Sequence, residues 1–457
     1  MDIRDAGRGE PSVPGNYPLE PRRYAVLALV WLATLIFWMA WFMQAPLLVS
    51  YWGLRQHVSF GSAEYLLSAV SIVSIATALV AGYGYDRFGP RKASALCLGF
   101  ITLGFGLRPF TVGNFPATLM LTILAGVGLP LIVAPAAIAA QWFGRHRMNL
   151  PMALGYSAVP LGQAAGLLLG ARMRADLGIT WAFGVMSIAL VVALLLWWVV
   201  VPEAPKQPAG PPAVKTAPLR TALRGVIRAE NAWLLFGIAA LTSGAVVFTG
   251  SFLTGFLDST YHLSPVQGGN DAAVFSGAAF LGTLALGYLA RMSKTTREFG
   301  LRTATCWLLS WLAITIAWFA GGIPLWAALV LLAVSGFCQA PAYNFGVNAL
   351  ERSRGIRPEM VGVAAGFYFT GSGIGGYVFP TIIARIVDVA HTGAGLVGPL
   401  VLVAAGTTLW TATFIPRLRA RRGAAGNSRP VTEPALPGGG GGRESNPPAT
   451  RHAALWF

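Results

Sequence analysis

Charge is the scarcest property of this sequence. Acidic and basic residues together fill 11% of its 457 positions, where a soluble domain carries about 25%. That deficit excludes a surface built to face water. Cysteine is also scarce: Cys97, Cys306 and Cys338 all stand inside apolar runs. They have no metal-ligand spacing and read as small packing residues rather than disulfide partners. The five histidines, His57, His146, His262, His391 and His452, fall in loops or tails, so no metal or catalytic cluster is expected. A G-x-x-x-x-G-K-[ST] loop is missing as well, which excludes direct drive by ATP. The chain is therefore expected to be no enzyme and to need no cofactor.

What is present is long apolar runs, with 55% of residues hydrophobic. Runs such as 24–49 and 178–201 exceed the roughly 20 residues that cross a bilayer. Only helices and closed barrels satisfy every backbone polar group in lipid. A barrel would show alternating segments of about 10 residues, and none appear. The first run is too long for a signal-peptide core and has no A-x-A-like site after it. Helical spans are expected at 24–49, 62–84, 93–111, 114–142, 149–172, 178–201, 231–257, 272–291, 302–320, 323–350, 359–385 and 394–415. The fold class is all-α membrane protein, with twelve transmembrane helices as two six-helix bundles. The expected organisation is an N-tail over 1–22, a first bundle over 23–201, a Pro-rich basic linker over 202–230, a second bundle over 231–415 and a disordered Gly/Pro-rich tail over 416–457.

A net charge of +16 invites a nucleic-acid reading, but the positions argue otherwise. With these spans, 28 of the 33 Lys and Arg fall on one side of the bilayer. Only Arg55, Arg108, Arg172, Arg174 and Arg385 fall on the other. The positive-inside rule puts both termini and the linker in the cytoplasm, and an odd span count would scramble the partition. The acids avoid mid-span positions altogether. Glu64, Asp176, Asp258, Asp271 and Asp388 lie near outer helix ends, and the other twelve lie in the tails, the linker and the loops of the cytoplasmic side. An intramembrane charge marks a functional site by default, so coupling through a buried central carboxylate is disfavoured here.

The two halves echo each other. Gly126 precedes Pro130 and Pro135 in the fourth span, and Gly336 precedes Pro341 in the tenth. Gly155 and Gly366 correspond in the fifth and eleventh. Between the second and third spans stands GYGYDRFGPRK (82–92). Physically, Gly82 lets two helices approach closely, and Gly89-Pro90 makes a tight turn. Asp86 ends a helix and can pair with the nearby bases or with the N-terminus of a neighbouring helix.

This stretch resembles the signature loop of the major facilitator superfamily, with Gly82, Asp86, Arg87, Gly89, Arg91 and Lys92 at the motif positions. The resemblance covers about residues 22–417. It implies a secondary transporter working by alternating access, in which the loop contacts hold one conformation and break in the other. The matching loop of the second half, GYLARMSKTTR (287–297), keeps Gly287 but has Arg291 where the acid belongs, so asymmetric gating is expected. Proton-coupled drug exporters of the superfamily carry an arginine in the fourth span and G-x-x-x-G-P-x-x-G-G in the fifth. Here the fourth span has no arginine and Val159 replaces the second glycine. Nitrate porters carry an arginine mid-way along the second span, and this chain has none there. These absences count against both substrate classes.

The resemblance also implies that the first, fourth, seventh and tenth spans line the cavity. Candidate lining residues are Trp38, Trp41, Gln44, Gln163, Gln339, Tyr343, Asn344 and Tyr368. Thr242, Ser243, Thr249 and Ser251 in the seventh span and Ser372 in the eleventh are further uncharged handles. Aromatics and amides fit a neutral or weakly charged organic solute, although such groups also serve as glue between helices. A monocarboxylate-like anion is the alternative, with Arg108 or Arg385 as counter-charge. A transporter-like sensor or scaffold is the other. The expected partners are a small-molecule substrate and the lipid bilayer, with no nucleic acid and a monomeric chain.

Overall fold

The computed structural model describes residues 22–143, 149–202, 218–229, 231–292, 296–319, 322–351, 356 and 360–390. Among these residues every regular element is helical. The first span is helix α1 (Arg22–Phe42), followed by a wide turn over Leu48–Gly53 and two short helices, α2 (Leu54–Gln56) and α3 (Phe60–Ala63). The helix expected to run to residue 49 ends early, because Pro46 offers no N–H to continue it. The second and third spans are the two arms of α4 (Tyr65–Gly106). They meet at Gly89, whose φ of 79° and ψ of 162° break the helical path. That backbone region is open essentially to glycine alone.

The fourth span is also divided. Helix α5 (Phe115–Gly126) starts where the Asn114 side-chain amide oxygen accepts from the Ala117 N–H at 3.0 Å, satisfying an otherwise orphaned donor. A tighter 3₁₀ segment, Leu129–Val133, then carries Pro130 before α6 (Ala134–Trp142). Next come α7 (Asn149–Leu177) and α8 (Ile179–Val200). Within the linker, Leu219–Arg228 forms α9, with Ala222 and Val226 buried. No helix is expected there from the Pro-rich, basic sequence. The second half contributes α10 (Ala232–Tyr261), α11 (Pro265–Met292), α12 (Thr296–Phe319), α13 (Leu325–Glu351) and α14 (Val361–Ala390). The expected span at 394–415 and both tails lie outside the described residues.

Packing follows from where the small residues sit. α4 lies along α14, and α7 along α11, so both pairs join a helix before the linker to one after it. Around them α1 packs on α7, α10 on α14, and α13 on both α11 and α12. The buried core is aromatic, with Trp41, Trp52, Trp197 and Trp307 among its largest members.

The outside is as apolar as the inside. The most apolar 18-residue stretch of α8 has a mean hydropathy of 2.6, yet only 28% of it is buried. Ile188, Leu195 and Val199 on it are exposed. So extended a bare apolar face does not belong in water, and a lipid surround accounts for it. Six helices among the described residues are long and apolar enough to cross a membrane. The chain is an integral membrane protein.

Candidate functional site

The seam between α4 and α14 is tied at both ends. At one end Gly82 meets Gly362 so closely that a Cβ on Gly82 would collide with the Gly362 carbonyl oxygen. A Cβ on Gly362 would in turn strike the Gly82 carbonyl oxygen and the Asp86 carboxylate. This approach places Asp86 over the first turn of α14. One carboxylate oxygen accepts from the Gly362 N–H at 2.9 Å, and the other from the Val363 N–H at 3.0 Å. Those N–H groups have no intrahelical partner, and the helix dipole favours a negative group there.

The other end of the seam repeats the device with the helices exchanged. Asp388, near the end of α14, accepts from the Gly61 N–H at 3.0 and 3.1 Å and from the Ser59 hydroxyl at 3.1 Å. Gly61 lies in α3, which leads into α4. Sequence reasoning placed Asp388 only among the acids at helix ends. A carboxylate at the end of one helix carries no sign of which helix start it will meet.

The rest of the signature loop ties α4 to its surroundings. Arg87 lies over the rings of Tyr83 and Phe88 and donates to the Tyr83 hydroxyl at 3.4 Å. Arg91 donates to the Trp198 carbonyl at 3.2 Å, and the Trp197 indole donates back to the Arg91 carbonyl at 3.0 Å, which anchors the turn to α8. Lys92 is exposed. The loop of the second half around Arg291 has side chains outside the described ones.

Two cavities lie where helices from before and after the linker face each other. One has about 360 Å³ of empty space, counted out to its open mouth, and is lined by Trp38 and Trp41 of α1, Ser71 and Ser74 of α4, Pro130, Ser243 of α10, and Phe369 and Ser372 of α14. The other, about 410 Å³, is lined by Tyr156 and Gln163 of α7, Val246 of α10, Phe275 and Thr283 of α11, and Gln339 of α13. Among the described residues no charged side chain lines either. In the first, Trp41 donates its indole N–H to the Leu67 carbonyl at 3.0 Å. Trp38 stacks on Phe42 with ring centroids 5.6 Å apart, and its buried indole N–H has no partner among the described residues. In the second, the buried Gln163 amide nitrogen is likewise without a partner. Each cavity is thus lined by a residue whose buried indole or amide donor has no partner among the described residues, a costly arrangement in an apolar interior.

Of the other expected lining residues, Gln44 is buried and donates to the Leu66 carbonyl at 2.6 Å, away from both cavities. Tyr368 is buried and lies edge-on to Phe369, which lines the first cavity. The side chains of Tyr343 and Asn344 lie outside the described ones. Ser71 and Ser74 were missed. Their signal was the three-residue spacing of Ser68, Ser71 and Ser74, which sets hydroxyls on adjoining turns of one face.

The two arginines considered as counter-charges stand elsewhere. Arg108 is fully buried inside the first half, donating to the Thr122 hydroxyl at 2.7 Å and to the Ala40 carbonyl at 3.4 Å. Its guanidinium carbon lies 3.8 Å from the Phe105 ring centre. Phe105 stacks on Phe37, and Phe37 on Trp41, so a run of stacked rings leads from Arg108 to the Trp41 side of the first cavity. Arg385 is exposed and donates to the Tyr65 hydroxyl at 3.3 Å.

Comparisons with known proteins agree with this architecture. The solved human organic anion transporter MFSD10 (TETRAN) superposes with a TM-score of 0.63 at 18% identity, over 86% of this chain and all of that one. Among curated proteins, the enterobactin exporter EntS of Shigella flexneri is 26% identical over 71% of this chain and 77% of its own length. The probable nitrate/nitrite transporter NarK2 of Mycobacterium tuberculosis (strain ATCC 25618 / H37Rv) is 23% identical over 84% and 94%. The choline/ethanolamine transporter flvcr2a of Danio rerio is 22% identical over 95% and 96%. The family model for the Major Facilitator Superfamily matches residues 30–380, and the chain belongs to that superfamily.

Proposed function

We propose that this protein is a secondary active transporter that carries a small, neutral or weakly charged organic solute across the cytoplasmic membrane by alternating access. Its halves are the two six-helix bundles, 23–201 and 231–415. Both termini and the Asp86 end of the seam face the cytoplasm, where 28 of the 33 basic residues fall. The chain works as a monomer, without a cofactor and without nucleic acid. The observation that carries the reading is the pair of uncharged cavities, each with an unpaired buried donor, at a seam clasped at both ends. Trp38 and Gln163 are positioned to donate to acceptor atoms of a solute, and the aromatic walls to cover its apolar body.

The names of the relatives span enterobactin, nitrate/nitrite and choline/ethanolamine, so the substrate class is argued from the site itself. A thermal-shift screen against a solute library selects the ligand, since a solute that binds the folded state stabilises it by mass action. Uptake into liposomes by purified protein then tests transport. Failure of every solute-binding hit to be transported would favour a sensor or scaffold. Truncation of 423–457 separates these readings further: transport survives it, whereas a tail-based scaffold loses its function.

A small organic anion is the second reading. It is favoured by Arg108, a fully buried guanidinium that pairs with no carboxylate among the described residues. It requires the Phe105–Phe37–Trp41 layer to move aside. Under that reading Arg108→Gln abolishes uptake, and unchanged uptake removes it.

A further inference from the structure

Glu64 stands at the start of α4, where the sequence suggests a surface acid at a helix end. Instead it is fully buried. Among the described residues neither carboxyl oxygen has a hydrogen-bond partner, although the hydroxyls of Ser68 and Ser251 lie beside it. Ser251, on α10, already donates to the Val247 carbonyl at 2.8 Å. Ser68 accepts from Thr381 of α14 at 3.4 Å. The carboxyl group therefore sits where α4, α10 and α14 meet, on the seam itself and next to the Asp388 clasp.

The charges around it do not neutralise it. On its own helix the neighbouring titratable group is Tyr65. On α14 they are Tyr377, Arg385 and Asp388, and on α10 the next acid is Asp258, about two turns on. Arg385, the one cation in this set, is exposed and engages the Tyr65 hydroxyl. Asp388 adds negative charge nearby and spends its oxygens on Gly61 and Ser59. An ionised carboxylate buried without a cation or a full set of donors is among the most expensive groups a protein can hold.

We propose that Glu64 is a proton-binding site that couples protonation to closure of the Asp388 end of the seam. With that end closed, as here, Glu64 holds a proton and is neutral. When α4 parts from α10 and α14 there, water reaches the carboxyl group and the proton leaves to it. One proton is bound on closing and one released on opening, with no other bond changed. A metal ion is the poorer occupant: it needs a shell of several oxygens, and the site offers one carboxylate and two hydroxyls.

The purpose of the site rests on the transporter reading, but its proton does not, so the first readout needs no solute. Infrared difference spectra of the full chain in nanodiscs, titrated through neutral pH, compare wild type with Glu64→Gln. The wild type shows a neutral-carboxyl stretch at neutral pH that the variant loses. Glu64→Asp shifts that band, and this serves if the amide variant fails to fold. The second readout is the distance between spin labels at the Asp388 end. In the wild type it lengthens as pH rises; in Glu64→Gln that pH dependence is lost and the end stays closed. A wild-type spectrum without the band, a band unmoved in both variants, or a label distance that follows sodium concentration rather than pH overturns the proposal. Loss of solute uptake with the band intact would instead count against the transporter reading.

Discussion

Asp86 and Asp388 sit at opposite ends of the same antiparallel helix pair, and each caps the chain segment that begins the other's helix. Asp86, on α4, binds the first N–H groups of α14, and Asp388, on α14, binds Gly61 at the start of the path into α4. Hydrogen bonds to a charged group contribute about 1.5–3 kcal/mol each. Replacing either carboxylate with its amide should therefore move the balance between open states by about tenfold or more. Asp86→Asn is expected to raise labelling of cysteines at the Asp86 end while leaving the Asp388 end protected. Asp388→Asn is expected to do the reverse. Both should slow transport with surface expression retained.

The Gly82–Gly362 contact leaves no space for a methyl group on either side. Gly82→Ala and Gly362→Ala should each force the helices apart at the Asp86 end, at a cost of about 1–3 kcal/mol to the closed form. The check is thermal unfolding together with labelling: a lower Tm and a more open Asp86 end. The double variant should cost less than the sum of the two, because one separation accommodates both methyl groups.

Gly89 turns the chain between the arms of α4 with φ at 79°. Nothing lies within 4 Å of a Cβ built there, so any penalty is backbone strain rather than collision. Gly89→Ala should cost about 1–3 kcal/mol and lower the Tm. Gly99, which is helical with equally open surroundings, is the control: Gly99→Ala should be neutral or stabilising by a few tenths of a kcal/mol up to about 1 kcal/mol.

Trp38→Phe keeps an aromatic ring in the first cavity but removes the unpaired indole N–H. If that group binds the solute, affinity should fall about tenfold, in line with the loss of one or two kcal/mol of hydrogen bonding. Gln163→Leu asks the same of the second cavity. Isothermal titration with the solute found by screening reads both. If neither variant weakens binding, the solute sits elsewhere.

The apolar runs and the signature loop were legible because lipid and tight helix contact leave few residue choices. The helices at α5, α7, α8, α10, α11, α12, α13 and α14 fall on expected spans. The close approach at Gly82 and the turn at Gly89 followed from glycine itself. Helix breaks were harder: Pro46 ends α1 early, and Pro130 sits in a 3₁₀ segment within the fourth span, yet Pro160 and Pro380 stand inside unbroken helices. The local sequence alone does not separate these cases, because neighbouring helices determine whether the freed carbonyl finds another partner. Burial of single charges was least legible. Glu64 and Arg108 look like end-of-helix anchors by position, and only the assembled seam and the Phe105 stack show that both are inside.

Two clasps that take turns holding the chain shut answer separately to mutation, and spin-label distances at each end read this out. On a cysteine-free background, labels at Phe88 and Arg228 report the Asp86 end, and labels at Leu54 and Trp326 report the other. All four positions are exposed. Asp86→Asn should lengthen the first distance while the second stays short, and Asp388→Asn should lengthen the second while the first stays short. Both distances lengthening together in either variant, or neither responding, would contradict it.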